Sequence, residues 1–122
     1  YFSELVGKPV SLSQLTQFPL ISLGKDTRSF AFYSAFFAAH GVRYEPDIEA
    51  FTADQILPMV QADLGIGFVP EDFLREGDGI CRIQLTEPIP ERHIVLIKRK
   101  EQPLSMAAKA LEQRILQPAA TV

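Results

Sequence analysis

Short apolar runs alternate with stretches of helical periodicity along the chain. Residues 18–23 (FPLISL) form a mostly apolar run stopped by Gly24, the pattern of a buried strand. Asp26 or Thr27 then offers a side-chain oxygen to orphan amides, and Gly41 follows His40 as a stop, so residues 28–40 read as a helix. At about 100° per residue, Phe30, Phe32, Tyr33, Phe36 and Phe37 fill one arc of it, and Ala31, Ser34, Ala35, Ala38 and Ala39 fill the other. The aromatic arc is expected in the core. The flat Ala/Ser face has two readings: contact with another chain or domain, or exposed alanines that simply propagate helix.

The alternation then repeats. VRYEPDIEAF reads as a connector and strand, and TADQILPMVQAD as a helix in which Thr52 and Gln55 have capping-box spacing. Pro58 removes a donor inside that helix and predicts a bend or a late start. LGIGFVP gives a third strand, whose Gly65 and Gly67 permit close packing; Pro70 suits the first position of a following turn or short helix. Cys81, Ile83 and Leu85 alternate with Arg82 and Gln84 as in a strand, and HIVLIKRK predicts a strand apolar on both faces. In LSMAAKALEQRIL, residues Leu104, Ala107, Ala108, Leu111 and Ile115 form a helical stripe with Ser105 as a candidate cap. Such alternation implies an α/β fold, a mainly parallel sheet flanked by helices, with ligands beyond the carboxyl ends of the strands.

Composition narrows the class. The 122 residues, 47% hydrophobic and 22% charged, suit a globular domain, and the longest apolar stretch is about half of the roughly 20 residues needed to span a membrane. The single Cys81 excludes an intrachain disulfide and is compatible with a reducing cytosol. The chain opens at Tyr1 without an initiator Met or a signal-peptide pattern, and is expected to be a piece of a longer protein. A net charge of −3 argues against this segment gripping nucleic acid, although it divides into −7 over residues 1–91 and +4 over residues 92–122. The run Lys98, Arg99, Lys100 reads as a solvated strand end rather than a basic patch.

No catalytic constellation is visible. His40 and His93 stand apart from any Ser or Cys nucleophile and read as structural or surface residues, and no ligand spacing for a metal exists. GIG at residues 65–67 lacks the later glycine of a dinucleotide fingerprint, so no cofactor is expected. What remains is the loops ahead of the helices, at residues 24–27, 52–54 and 69–71. Their amides, the hydroxyls of Thr27 and Thr52, and the charges of Lys25 and Arg28 could hold a small polar or anionic metabolite. Plain capping explains the same residues.

The strings PVSLSQLTQFPLISL, IEAFTADQILPMVQADLGIGFVPE, PIPERHIVLIKRK and LSMAAKALEQ, in this order over nearly the whole chain, resemble the effector-binding region of LysR-type transcriptional regulators. The resemblance implies one lobe of a periplasmic-binding-protein-like (type 2) fold with three layers. Residues 1–91 would be the second lobe; residues 92–122 would be a strand and helix returning toward a first lobe, leaving the stripe of Leu104, Leu111 and Ile115 without its usual partner. It implies a bacterial, cytoplasmic, non-enzymatic regulator that binds DNA only through a helix-turn-helix domain outside this chain. It also implies a homo-oligomer pairing first and second lobes of neighbouring subunits, with no membrane partner. The positions facing the effector cleft would be Gly24, Lys25, Asp26, Thr27, Thr52, Ala53, Val69 and Pro70. Asp63 departs from the family's common glycine, and aspartate tolerates the left-handed turn. The competing reading is a lobe of an extracytoplasmic solute-binding protein. An enzyme would need a titratable pair assembled only by folding.

Overall fold

The structure, a computed structural model, describes residues 2–93 and 95–117. The chain divides into two compact units, Tyr1–Pro90 and Glu91–Val122. In the first unit, helix α1 (Leu12–Leu15) leads into strand β1 (Leu20–Leu23), helix α2 (Arg28–Ala39), strand β2 (Ile48–Ala50), helix α3 (Ala53–Gln61) and strand β3 (Ile66–Gly67). A short 3-10 turn, Glu71–Phe73, follows. The strands form a parallel sheet of order β2-β1-β3, with Ile21 opposite Ile48 on one side and Gly67 on the other.

β1 is apolar on both faces because it is covered on both. Leu20 joins Phe36, Phe37, Tyr44, Leu12 and Leu15 in one cluster, whereas its neighbour Ile21 packs with Ala50 and Ile56 in another. Successive strand residues point to opposite faces, so α1 and α2 lie on one side and α3 on the other. The three-layer α/β expectation is therefore met in this unit. α3 approaches closely enough that a Cβ on Gly67 would sit 2.5 Å from Ile56 Cγ2, which explains the glycine there.

Four of the five aromatic residues of the arc enter the core, with Phe36 and Phe37 buried and Phe30 and Tyr33 packed against them, whereas Phe32 is half-buried outside both clusters. Phe37 is fully buried, and the Tyr44 ring lies 4.7 Å from it and 5.4 Å from Phe30. Burial pushes the Tyr44 phenol above its ordinary value, opposed by a hydrogen bond with Ser22. Ala31, Ala35, Ala38 and Ala39 face outward, exposed. Asp63 adopts the left-handed conformation, at φ 59°.

Several local expectations are corrected. The Thr52–Gln55 capping box does not form: Thr52 makes no side-chain cap, and Gln55 Oε1 instead accepts from the Phe51 amide at 2.8 Å, an N–H at the end of the β2 ladder. α3 starts at Ala53 and continues through Pro58, so it is not late. Pro58 and Asp54 are both exposed, which leaves the carbonyl deprived of its helical donor on the wet side. Pro70 precedes the short turn as its cap rather than opening it. Cys81, Ile83 and Leu85 form no strand; only Leu85 bridges, in parallel, to Val10. Residues 92–93 and 95–98 form no strand among the described residues, Ile97 is 88% exposed, and Ile94 lies outside the described residues. A strand apolar on both faces needs neighbours on both edges and layers above and below, and no strand pairs with it here.

In the second unit, helix α4 (Met106–Leu116) is capped by the Ser105 hydroxyl, which accepts from the Ala108 amide. Its stripe is open to solvent at Leu111 and Ile115. Lys98 donates to Glu112 at 2.8 Å, and Arg99 to Gln102 at 3.2 Å.

The first unit is tied end to end. Val10 N–H donates to Gln84 O at 2.8 Å, Thr86 N–H to Val10 O at 3.0 Å, and the Leu12 amide to Glu87 Oε2 at 3.1 Å. Ser11 and Gln14 complete a capping box at the same helix start. The Thr86 hydroxyl and Leu12 amide hold the Glu87 carboxyl below its ordinary value. Its contribution to stability is therefore present above the unfolded glutamate value and lost as pH falls through the lower folded one. Glu87→Gln should lower the melting temperature at pH 7, where the carboxylate contributes in full, and flatten the acid limb of the profile so that the two proteins converge as pH falls below the glutamate range. Phe37→Ala should cost about 3–5 kcal/mol in urea denaturation.

Candidate functional site

Because β1, β2 and β3 run parallel, the segments leaving their carboxyl ends emerge at one edge of the sheet. Gly24, Lys25, Asp26 and Thr27 follow β1, Thr52 and Ala53 follow β2 after Phe51, and Val69 and Pro70 come shortly after β3. All eight positions singled out in the sequence thus lie at the same end. Leu23 pairs with Ala50, so Gly24 and Phe51 leave the ladder side by side.

The loops differ in what they leave free. The Thr27 amide donates to Gly24 O at 3.0 Å, and its hydroxyl donates to the same carbonyl at 2.7 Å while accepting from the Phe30 amide at 3.1 Å. Thr27 therefore builds the loop and caps α2. Thr52 is exposed, and its hydroxyl caps nothing. Lys25, Asp26 and Pro70 are exposed, and Val69 is half-buried against the α3 side of the sheet.

Sequence reasoning missed two groups here. Phe51 is 89% exposed at the end of β2, an apolar surface beside the strand-end loops. Glu49 comes from β2: a Cβ on Gly24 would lie 2.9 Å from Asp26 Oδ1 and 3.0 Å from Glu49 Oε1. Two carboxylates thus accompany Lys25 and Arg28 at this edge, and the potential is mixed rather than uniformly positive. The register pairing of Ser22 with Glu49 places that residue here, and nothing in local spacing announces it.

A larger concavity lies along β3. It measures about 820 Å³, and its walls include Leu57, Val60, Ile66, Phe68, Ile80 and Ile83. Val69 and Glu71 reach it from the strand-end side, and Arg82 donates to Glu71 across it at 3.0 Å. His40, at the far end of α2, has Nδ1 3.0 Å from Phe36 O, whereas His93 is exposed in the second unit. Cys81 is a free, exposed thiol. No helix among the described residues is long and apolar enough to cross a membrane.

A parallel sheet covered on both faces, with open loops at the carboxyl ends of its strands, is the arrangement at which α/β proteins commonly place ligands. The chain belongs to the LysR substrate-binding domain family, whose model matches residues 2–120. It is also similar to an uncharacterized HTH-type transcriptional regulator, YwbI, of Bacillus subtilis (strain 168), with 41% identity over 59 residues. That match covers 47% of this chain and 20% of the regulator, so the chain spans a minor part of that relative.

The two threonines provide a contrast. Thr27→Ala should destabilise by about 1 kcal/mol through the lost cap, whereas Thr52→Ala should stay within about 0.5 kcal/mol in the same urea titration.

Proposed function

We propose that residues 1–91 are the second lobe of the effector-sensing part of a LysR-type transcription regulator, with residues 92–122 belonging to the return toward a first lobe. Family membership over residues 2–120 carries this reading, and the similarity to an HTH-type regulator supports it. The longer protein binds DNA through a separate helix-turn-helix domain, works in the cytoplasm and assembles as a homo-oligomer. The exposed alanine face of α2 is its subunit contact in the second lobe.

The effector is a small polar molecule held between lobes. On this side Lys25 supplies a cation, Thr52 an uncommitted hydroxyl, and Asp26 an acceptor, while Gly24, Ala53, Val69 and Pro70 form the backbone walls and Thr27 fixes the first loop. Phe51 adds apolar contact. Effector binding acts by differential affinity for two arrangements of the lobes, and DNA contacts change only to that extent.

A thermal-shift screen of small carboxylates and hydroxy acids on the intact regulator tests this, followed by calorimetry on the hits. Lys25→Ala and Thr52→Val should each weaken binding about tenfold, or 1.4 kcal/mol, and the lobe alone should bind far more weakly than the intact regulator. A ligand whose affinity ignores both substitutions, or which the isolated lobe binds as tightly, would move the effector site elsewhere.

A further inference from the structure

Resting on the effector site proposed above, we propose that its ligand is an amino acid with an apolar side chain, whose ammonium group is received by Asp26 and Glu49 and whose side chain lies against Phe51. The two carboxylates come from different elements, Asp26 from the loop after β1 and Glu49 from β2, and the pairing of Ser22 with Glu49 brings them to the same strand end. The nearest atoms that a Cβ on Gly24 would meet all belong to these two groups, Asp26 Oδ1 at 2.9 Å and Glu49 Oε1 at 3.0 Å foremost. Gly24 lacks the positive φ of Gly7 or Gly41, so its backbone does not call for glycine; the room between the carboxylates does.

Nothing in the described chain neutralises the pair. Neither Asp26 nor Glu49 makes a side-chain hydrogen bond or ion pair among the described residues, and neither do Lys25 and Arg28 beside them. Like charges set side by side repel, and a cation placed between them turns that repulsion into attraction. A metal ion fits poorly, since no group of three or more His, Cys, Asp or Glu side chains able to hold one occurs among the described residues. An ammonium carries three donors and needs only acceptors, which two ionised carboxylates supply.

Phe51 defines the rest of the ligand. Leu23 pairs with Ala50, so Phe51 leaves the ladder beside Gly24, and it is 89% exposed. Gln55 fixes its backbone by accepting from the Phe51 amide at 2.8 Å. An apolar ring held in the open next to unneutralised carboxylates offers burial to an apolar substituent and its face to an ammonium. Lys25, exposed on the same loop, is left for the ligand's own carboxylate. A molecule with an ammonium, a carboxylate and an apolar arm meets all three demands; a simple carboxylic or hydroxy acid leaves Asp26 and Glu49 facing each other unrelieved.

Calorimetry on the intact regulator tests this with two matched pairs, L-leucine against isocaproate and L-phenylalanine against hydrocinnamate, in which the partners differ by the amino group alone. In one pair or both, the amino acid should bind about tenfold or more tighter than its deaminated partner. Glu49→Gln and Asp26→Asn should each shrink that difference about threefold or more, while affinity for the deaminated acid holds or rises. Both substitutions fall on exposed side chains, where folding is little affected. A deaminated acid that binds as tightly as its amino acid would overturn the proposal, as would a difference that both substitutions leave intact, or no binding of either amino acid. Lys25→Ala then separates this proposal from the one it rests on. A hit from the carboxylate screen that Lys25→Ala still weakens keeps the effector site and removes only the ligand class, whereas a hit indifferent to it removes both.

Discussion

The structure depends on β1 being buried on both faces at once. Leu20 and Ile21, adjacent in sequence, seed two separate cores, one under α1 and α2 and the other under α3. α2 and α3 each begin in the loop that leaves a strand, so burying the sheet also gathers the strand-end loops at one edge. Fold and site are products of the same constraint.

That constraint leaves the periphery less well determined. Polar anchors do the work there: Asp47 starts the β1–β2 ladder by exchanging backbone and side-chain bonds with Leu20, and Glu87 closes the unit on the amide of Leu12. Both are carboxylates accepting from backbone donors at the start of an element, the positions where an unpaired N–H would otherwise be most costly. Around the candidate site the same chemistry appears in looser form. Thr27 spends its amide and hydroxyl on its own loop, while Thr52 leaves its hydroxyl to solvent. A threonine that caps a helix and one that leaves its hydroxyl uncommitted look alike in sequence; the hydrogen bonds distinguish them.

Family membership gives this edge its meaning. The chain is a LysR substrate-binding domain, and this edge combines the charges of Lys25, Asp26 and Glu49 with the exposed ring of Phe51. On the function proposed above, linkage between effector and DNA requires a second arrangement of the lobes with a different affinity, a property of the longer protein.

The sequence by itself determined the elements whose signals are local. The apolar run before Gly24, the cap at Thr27, the aromatic arc of α2 and the Ser105 cap of α4 all depend on residues within a few positions of one another. The order of motifs also pointed to the family before any geometry was known. Tertiary structure decided whatever needed a distant partner. Residues 81–85 and 92–98 carry strand patterns, but a strand exists only where another edge pairs with it, and among the described residues of the two segments only Leu85 finds a partner, at Val10. The meeting of Asp26 with Glu49 above Gly24, and of Glu87 with Leu12 across 75 positions, has no trace in local spacing. Periodicity specifies which face of an element is apolar, and only the folded chain specifies what that face meets.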